Sequence, residues 1–209
     1  MCFQHNNQPA TFVGKRGCPI CMSDSSKMLF ILEYAFPENY SIDHKQKIVS
    51  CDVCGFVFNI GNNRLDVHAV ECNRYEGVSV GFYGCALEHI TKNFEKDTKI
   101  LDVGCGRGFL LLELKKQGYT NLFGLDPSKA CVENMEEPII GKQGSVYDKI
   151  NEFENYFDVI ILTNVIEHLE YPSQALYNIS SWLESGGGIY GLGVKSISQK
   201  IIFDKFKTI

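Results

Sequence analysis

The chain lacks a long hydrophobic run. None of its apolar stretches approaches the roughly 20 residues that a membrane-spanning helix needs. Its N-terminal residues are largely polar, and they lack the apolar segment of a secretory signal. The sequence therefore predicts a cytoplasmic protein without a membrane partner.

Positive charge is also scarce. The 209 residues include 20 Lys and Arg against 25 Asp and Glu, a net charge of −5, and the basic residues are scattered. A nucleic-acid-binding surface needs clustered basic residues that neutralise phosphates. We therefore expect no nucleic acid partner. The hydrophobic content of 44% suits one α/β domain with a small additional domain.

Three regions differ in their residue patterns. Residues 1–74 are irregular and contain two close pairs of cysteines. Residues 75–96 carry apolar side chains at helical spacing, and this pattern predicts a helical connector. In residues 97–209 short apolar segments alternate with amphipathic ones, which is typical of a parallel α/β sheet.

The pattern of this last region predicts its individual strands and helices. We expect strands at 99–103, 122–125, 143–146, 157–163 and 189–194. Helices are expected at 109–117, after residue 128 and at 173–183, and the glycines at 186–188 predict a turn. Because residues 157–163 form a continuous apolar run, this strand should lie at the centre of the sheet.

A glycine-rich loop follows the first of these strands, with Gly104, Gly106 and Gly108 at alternate positions. Glycine lets the backbone turn sharply and approach a ligand closely, and the next helix begins with its amides directed at that ligand. Dinucleotide-binding loops are similar, but their spacing is Gly-x-Gly-x-x-Gly. Asp102 precedes the first glycine, where its carboxylate would repel a pyrophosphate and would suit an ammonium group.

A second carboxylate, Asp126, ends the next predicted strand. An acid at this position can accept hydrogen bonds from both hydroxyls of a ribose. The sequence Asp126-Pro127-Ser128 is also a good helix entry, with the aspartate as the N-cap. The two roles are compatible, and the strand spacing favours the contact with ribose.

The cysteine pairs have the spacing of a metal site. Cys18 and Cys21 form one Cys-x-x-Cys pair, and Cys51 and Cys54, followed by Gly55, form the other. Two such pairs predict a closed four-cysteine zinc site, which is structural because it leaves no open position for a substrate. The alternative, a redox-active dithiol, needs a thioredoxin-like context that this region lacks.

The motifs of the C-terminal region resemble those of class I S-adenosylmethionine-dependent methyltransferases. Residues 103–108 are similar to the glycine motif of that family, and residues 125–128 to its second acidic motif. Residues 157–169 resemble its fourth-strand motif, and residues 183–188 the turn before its fifth strand. The resemblance implies a Rossmann-like fold and S-adenosylmethionine as the co-substrate.

The resemblance also implies which residues bind this co-substrate. The glycine loop would contact its methionine part, Asp126 its ribose, and Ser145 with Val146 its adenine, although an acid is commoner in the family than Ser145. Asn164 falls where the residue after the fourth strand meets the methionine part or the acceptor. The expected set is Asp102, Gly104, Cys105, Gly106, Asp126, Pro127, Ser145, Val146 and Asn164.

The order of the two parts resembles methyltransferases of deoxysugar and cell-surface glycan pathways, which carry a four-cysteine zinc domain before the Rossmann-like domain. Residues 36–38, 48–58 and 73–76 match that pattern. This resemblance implies a small-molecule acceptor, such as a nucleotide-linked sugar or glycan precursor. The acceptor itself does not follow from kinship of fold.

One histidine is a candidate for the general base. His168 follows the predicted fourth strand, at the edge where α/β sheets bind ligands, and imidazole titrates near neutral pH. The alternative is that Glu167 and His168 merely begin a helix. The family sheet usually continues for two further strands, so we expect a sheet that is short at its C-terminus. A catalytically inactive or truncated relative is therefore one alternative function, and a zinc-ribbon interaction module is a separate one.

Overall fold

The computed structural model describes residues 17–33, 45–60 and 83–192. The chain divides into two compact units, Met1–Leu65 and Asp66–Ile209. The predicted boundary at residue 74 and the sequence matches at 36–38 and 73–76 lie outside the described residues, as does the predicted strand beyond residue 192. The division into 1–74, 75–96 and 97–209 stays a prediction.

The first unit contains an antiparallel sheet of three strands in the order β1-β2-β3. Its described core is small, because only a few apolar side chains pack together, those of Cys18, Val49, Cys51 and Phe58, with Ile60 beside them. Such a core is too small to hold a fold together by itself. The strands are β1 (Ser26–Glu33), β2 (Lys45–Cys51) and β3 (Val57–Asn59).

The second unit contains a five-stranded sheet in the order β6-β5-β4-β7-β8, and every neighbouring pair is parallel. Helices connect the strands, and the predicted Rossmann-like α/β class is confirmed. The elements are α1 (Gly84–Asn93), β4 (Ile100–Val103), α2 (Phe109–Lys116), β5 (Leu122–Asp126), α3 (Lys129–Val132), β6 (Ile139–Gln143), β7 (Phe157–Thr163), α4 (Pro172–Trp182) and β8 (Leu183–Leu192).

The sheet is covered on both faces, which explains the apolar run of β7. One core joins the sheet to α1, α2 and α3, and the other joins it to α4 through Ala175, Ile179 and Trp182. Residues of β7 alternate between the two cores, so Val159 and Ile160 are both buried. A parallel strand with helices over both faces needs an apolar residue at every position.

The third strand of the sheet differs from its sequence-based prediction. We expected it at 143–146, but it is β6 at Ile139–Gln143. Residues after it form a turn, in which the Asp148 carboxylate accepts a hydrogen bond from the Ser145 backbone at 2.7 Å. The strand is hard to recognise because Gly141 interrupts its apolar pattern. A Cβ atom there would lie 2.5 Å from the Val132 carbonyl oxygen, so the packing of α3 requires glycine.

The last strand is longer than expected. We predicted a turn at 186–188 before it, but β8 runs from Leu183 to Leu192 and includes these glycines. Its pairing with β7 shifts register between Phe157 and Val159, so the glycines are accommodated as an irregularity inside the strand. Among the residues that the structure describes, no helix has the length and apolar character needed to cross a membrane.

Candidate functional site

The glycine loop lies between the ends of two neighbouring strands. The backbone N–H groups of Gly104 and Cys105 both donate to the Leu125 carbonyl, at 2.7 and 3.3 Å. The backbone of Gly104 has a φ of 67°, in the left-handed region. A Cβ atom on it would lie 2.6 Å from a methyl of Val165. The loop therefore has room for glycine alone at this position, as its sequence predicted.

The side chain of Cys105 points away from the exposed side of this loop. Cys105 is buried, and its Sγ lies 2.7 Å from the position that a Cβ on Gly124 would take. Burial raises the pKa of its thiol above the ordinary range. Any contact of Cys105 with a ligand above the loop must therefore come from its backbone.

The carboxylate of Asp126 connects the glycine loop to the start of α3. Its Oδ2 accepts a hydrogen bond from the Gly106 backbone at 2.9 Å, and its Oδ1 accepts one from the Ser128 backbone at 2.8 Å. The local role that we considered for this acid is therefore real, although Ser128, not Asp126, is the N-cap. Each carboxylate oxygen has a second acceptor position, so both oxygens can still accept hydrogen bonds from a diol.

Asp102 is the buried acid of the site, with only 5% of its surface exposed. Among the described residues, none forms a hydrogen bond or an ion pair with its carboxyl group. Burial raises its pKa to about 8, and the charge of Asp126 adds to the effect. A carboxyl group in this state holds its proton near neutral pH until a positive charge is placed beside it.

A polar atom without a partner lies at the end of β7. Thr163 Oγ1 is buried and has no hydrogen-bond partner within the described part of the chain. The next residue, Asn164, has a φ of 55°, which is uncommon for a side-chain-bearing residue. Backbone of this kind is typical of ligand sites. The sequence predicted Asn164 at this edge, but it offered no signal for the buried hydroxyl of Thr163.

The remaining predicted positions surround the same edge. Gly144 donates its backbone N–H to the Asp126 carbonyl at 3.0 Å, which places Ser145 and Val146 directly after β6 beside the end of β5. The side chain of Val146 is buried, and its carbonyl accepts a hydrogen bond from Asn178 at 2.8 Å. The Pro127 carbonyl accepts one from Gln143 Nε2 at 3.2 Å.

His168 lies in a short 3₁₀ helix, Ile166–His168, and its side chain is exposed. Its backbone N–H donates to the Val165 carbonyl at 2.9 Å, and Val165 itself lies against the glycine loop. The imidazole has no hydrogen-bond partner among the described residues. It is therefore free to contact a ligand, and its catalytic role stays a prediction.

The four paired cysteines form one cluster, as expected. The sulfurs of Cys18, Cys21, Cys51 and Cys54 all lie within 4.8 Å of one another. Two of these separations, Cys18 to Cys54 and Cys21 to Cys51, are 3.5 Å. These distances exclude disulfides, in which sulfurs lie about 2.05 Å apart. Four thiolates in a tetrahedron around zinc lie about 3.8 Å apart, so the cluster fits this ion.

Backbone groups around the cluster favour a thiolate. Hydrogen bonding from the backbone of Cys54, and then of Val53, lowers the pKa of Cys51 to about 6, whereas burial and the sulfurs of the other three cysteines raise the pKa of Cys54. The Val53 N–H lies 3.4 Å from Cys51 Sγ. Gly55 closes this turn with a φ of 74°, and its N–H donates to the Cys51 carbonyl at 2.9 Å. The geometry is that of a zinc knuckle.

A parallel sheet with a glycine loop and two carboxylates at its carboxyl edge is typical of the class I S-adenosylmethionine-dependent methyltransferases. Residues 82–193 match the sequence profile of a family described as methyltransferase domain, and the chain belongs to this family. The match covers the whole parallel sheet and its carboxyl edge. S-adenosylmethionine is the co-substrate of this family.

The relatives of the chain are consistent with this family. A tRNA U34 carboxymethyltransferase from Helicobacter acinonychis is 31% identical over 101 residues, 44% of this chain and 38% of that protein. A ubiquinone biosynthesis O-methyltransferase from Dictyostelium discoideum is 28% identical over 107 residues, 44% of this chain and 33% of that protein. The chain thus spans about two fifths or less of the length of these curated relatives.

Solved structures share the fold. A candidate S-adenosyl-L-methionine-dependent methyltransferase from Methanococcus maripaludis superposes with a TM-score of 0.52 and 27% identity, over 58% of this chain and 60% of that one. Neither this structure nor the named relatives identify a sugar acceptor. The predicted likeness to glycan-pathway enzymes therefore stays a proposal.

The buried carboxyl of Asp102 predicts a pH-dependent stability. Its pKa is 3.8 in a free chain and about 8 in the folded protein. Between these values the folded protein keeps a proton that the unfolded chain has lost, so this group makes the fold less stable as pH rises. In Asp102→Asn, the free energy of unfolding relative to wild type should increase through this window, by at most about 1.4 kcal/mol per pH unit.

Urea denaturation near the two ends of this pH window measures the effect. Asp97→Asn, which removes an exposed carboxylate, is the matched control and should show no comparable change with pH. A difference between Asp102→Asn and wild type that stays constant with pH would mean that Asp102 is already ionised in the folded protein.

Proposed function

We propose that this chain binds S-adenosylmethionine at the carboxyl edge of its sheet and transfers the methyl group to a small-molecule acceptor. The observation that carries the proposal is the buried carboxyl of Asp102, which lies two residues before the glycine loop and has no cationic partner among the described residues. The ammonium group of the methionine part is a partner of matching charge. A dinucleotide is a poorer fit, since its pyrophosphate brings no positive charge to this buried carboxyl.

The other residues of the edge fit the rest of the same molecule. Asp126 retains acceptor capacity on both carboxylate oxygens for the ribose hydroxyls. Ser145 and Val146 follow β6 beside it and suit the adenine. Asn164 and the Thr163 hydroxyl, which has no partner among the described residues, suit the methionine part. We assign the whole predicted set to this site, with Cys105 acting through its backbone.

Bound S-adenosylmethionine supplies an electrophilic methyl group next to a positively charged sulfur. The protein contributes mainly by holding the acceptor in line with this group, because prior positioning removes an entropic barrier. His168 is exposed just beyond Val165, and it is our candidate for the base that takes a proton from an acceptor hydroxyl or acidic C–H.

The acceptor that we propose is a nucleotide-linked sugar or another glycan precursor. The support is the four-cysteine module before the methyltransferase domain, as in the glycan-pathway enzymes that the sequence resembles. Relatives named for tRNA and for ubiquinone biosynthesis make these the competing acceptors. The net charge of −5 disfavours tRNA, whose phosphates bind best to clustered basic residues. A panel with all three acceptor classes tests the assignment.

The cysteine cluster predicts one zinc ion per chain. We propose that zinc stabilises the first unit, since its core is small and metal binding contributes about 10–16 kcal/mol to zinc-finger peptides. Elemental analysis of protein purified without added metal should give about one zinc per chain. Cys51→Ser should lose most of the zinc, whereas Cys85→Ser, a free cysteine outside the cluster, should keep it. Protein without zinc, or with redox-active iron, would refute this assignment.

Replacement of Asp126 tests the cofactor site. Asp126→Ala should weaken S-adenosylmethionine binding more than tenfold, since a charge-assisted contact is worth about 1.5–3 kcal/mol. Isothermal titration calorimetry measures the affinity, and thermal denaturation checks the fold. Asp158→Ala is the control, because this carboxylate also accepts a backbone hydrogen bond, from Lys99 at 2.7 Å, but lies at the amino end of β7, away from the predicted set. A loss below threefold in a folded variant would limit Asp126 to its local contacts.

Replacement of His168 tests the catalytic step apart from binding. His168→Ala should bind S-adenosylmethionine with unchanged affinity, but turnover should fall by about 100-fold or more if the histidine is the base. The assay uses the longest natural form of the protein. Unchanged turnover in His168→Ala would show that His168 is not the base. Cofactor binding in wild type without turnover on any acceptor would instead favour a catalytically inactive relative.

A further inference from the structure

Strand β1 exposes an unusual amount of apolar surface. Its residues Met28, Leu29, Phe30 and Ile31 are between 45% and 51% exposed, and Leu32 is 37% exposed. None of them belongs to the core of the first unit. From Phe30 to Glu33 the pairing with β2 is regular, so Phe30 and Leu32 point to one face and Ile31 to the other. Both faces of the strand are therefore apolar.

The same strand lies at the edge of its sheet. In the described sheet the order is β1-β2-β3, so no described strand pairs with the backbone N–H and C=O groups on the outer side of β1. Edge strands of proteins that stay unpaired usually carry a charge, a proline or a bulge within the strand, and β1 has only an irregularity between Met28 and Phe30. The only charged residues of β1 are Lys27 and Glu33, near its two ends, and between them it has five apolar residues. The apolar middle of this edge strand therefore favours pairing with a strand of another chain.

We propose that β1 pairs antiparallel with β1 of a second copy of this chain. Antiparallel pairing centred on Phe30 places Lys27 of each copy opposite Glu33 of the other, and Met28 and Leu29 opposite Leu32 and Ile31. A parallel arrangement would place like charges together. The strand is thus complementary to itself in one direction only, which favours a second copy over an unrelated peptide.

An irregularity in β1 does not prevent this pairing. The register with β2 shifts between Met28 and Phe30, so Leu29 is an extra residue on the bulged strand. A shift of one position keeps the charged ends within reach, because long side chains also contact diagonal neighbours across strands. Glu33 already contacts Lys45 at 2.9 Å, but both side chains are about two-thirds exposed and Glu33 can accept a second cation.

The oligomeric state of the full chain tests this proposal. Sedimentation velocity over a wide range of concentrations should show a dimer. Lys27→Glu alone and Glu33→Lys alone should each raise the dissociation constant roughly tenfold, because two opposite-charge contacts per dimer become repulsive. An equal mixture of these two variants should dimerise again, to within about threefold of wild type, since each then faces its complement.

The same charge changes made elsewhere provide the control. Lys92→Glu and Glu88→Lys alter an exposed ion pair on α1 and should leave the dimer unchanged. Ile31→Asp should give a monomer, and unchanged zinc content will show that the first unit still folds. A monomeric wild type at every concentration, a dimer that persists in Ile31→Asp, or a mixture that does not recover would overturn the proposal.

Discussion

The carboxylate of Asp126 fixes the positions of the glycine loop and of the start of α3 at the carboxyl edge of the sheet. It accepts one backbone hydrogen bond from the glycine loop and one from the start of α3, so three segments keep a common geometry. The loop is further confined by Val165, against which only glycine fits at position 104. Site and fold therefore depend on the same contacts, and a ligand meets a surface that is already organised.

The buried carboxyl of Asp102 lowers the free energy of unfolding, and a positively charged ligand beside it would offset this cost. Two carboxyl groups lie close together, and one of them is buried without a cation among the described residues. The protein tolerates this cost because the apolar sheet is buried on both faces. The first unit differs in this respect, since its described apolar core is small and its four clustered cysteines are compatible with a stabilising zinc ion.

Much of this architecture could be predicted from the sequence, for identifiable physical reasons. The strand at 157–163, the glycine loop and the cysteine pairs were predicted correctly because each needs particular residue types at fixed spacing. The strand at Ile139–Gln143 was misplaced, because tertiary packing against Val132 requires Gly141 where a strand pattern expects a side chain. The buried hydroxyl of Thr163, which has no hydrogen-bond partner in the described part of the chain, was missed, since threonine is also common in strands where its hydroxyl is hydrogen-bonded.

The protonated state of Asp102 has a consequence for how the site is occupied. The ammonium group of the proposed ligand, placed beside this carboxyl, would displace its proton, so at neutral pH the site would exchange one positive charge for another. Net charge inside the sheet then changes little on occupation, and the buried region avoids an isolated ion in either state. Occupancy consequently depends on the acidity of the surroundings as well as on ligand concentration, and the heat of binding includes the ionisation heat of the buffer.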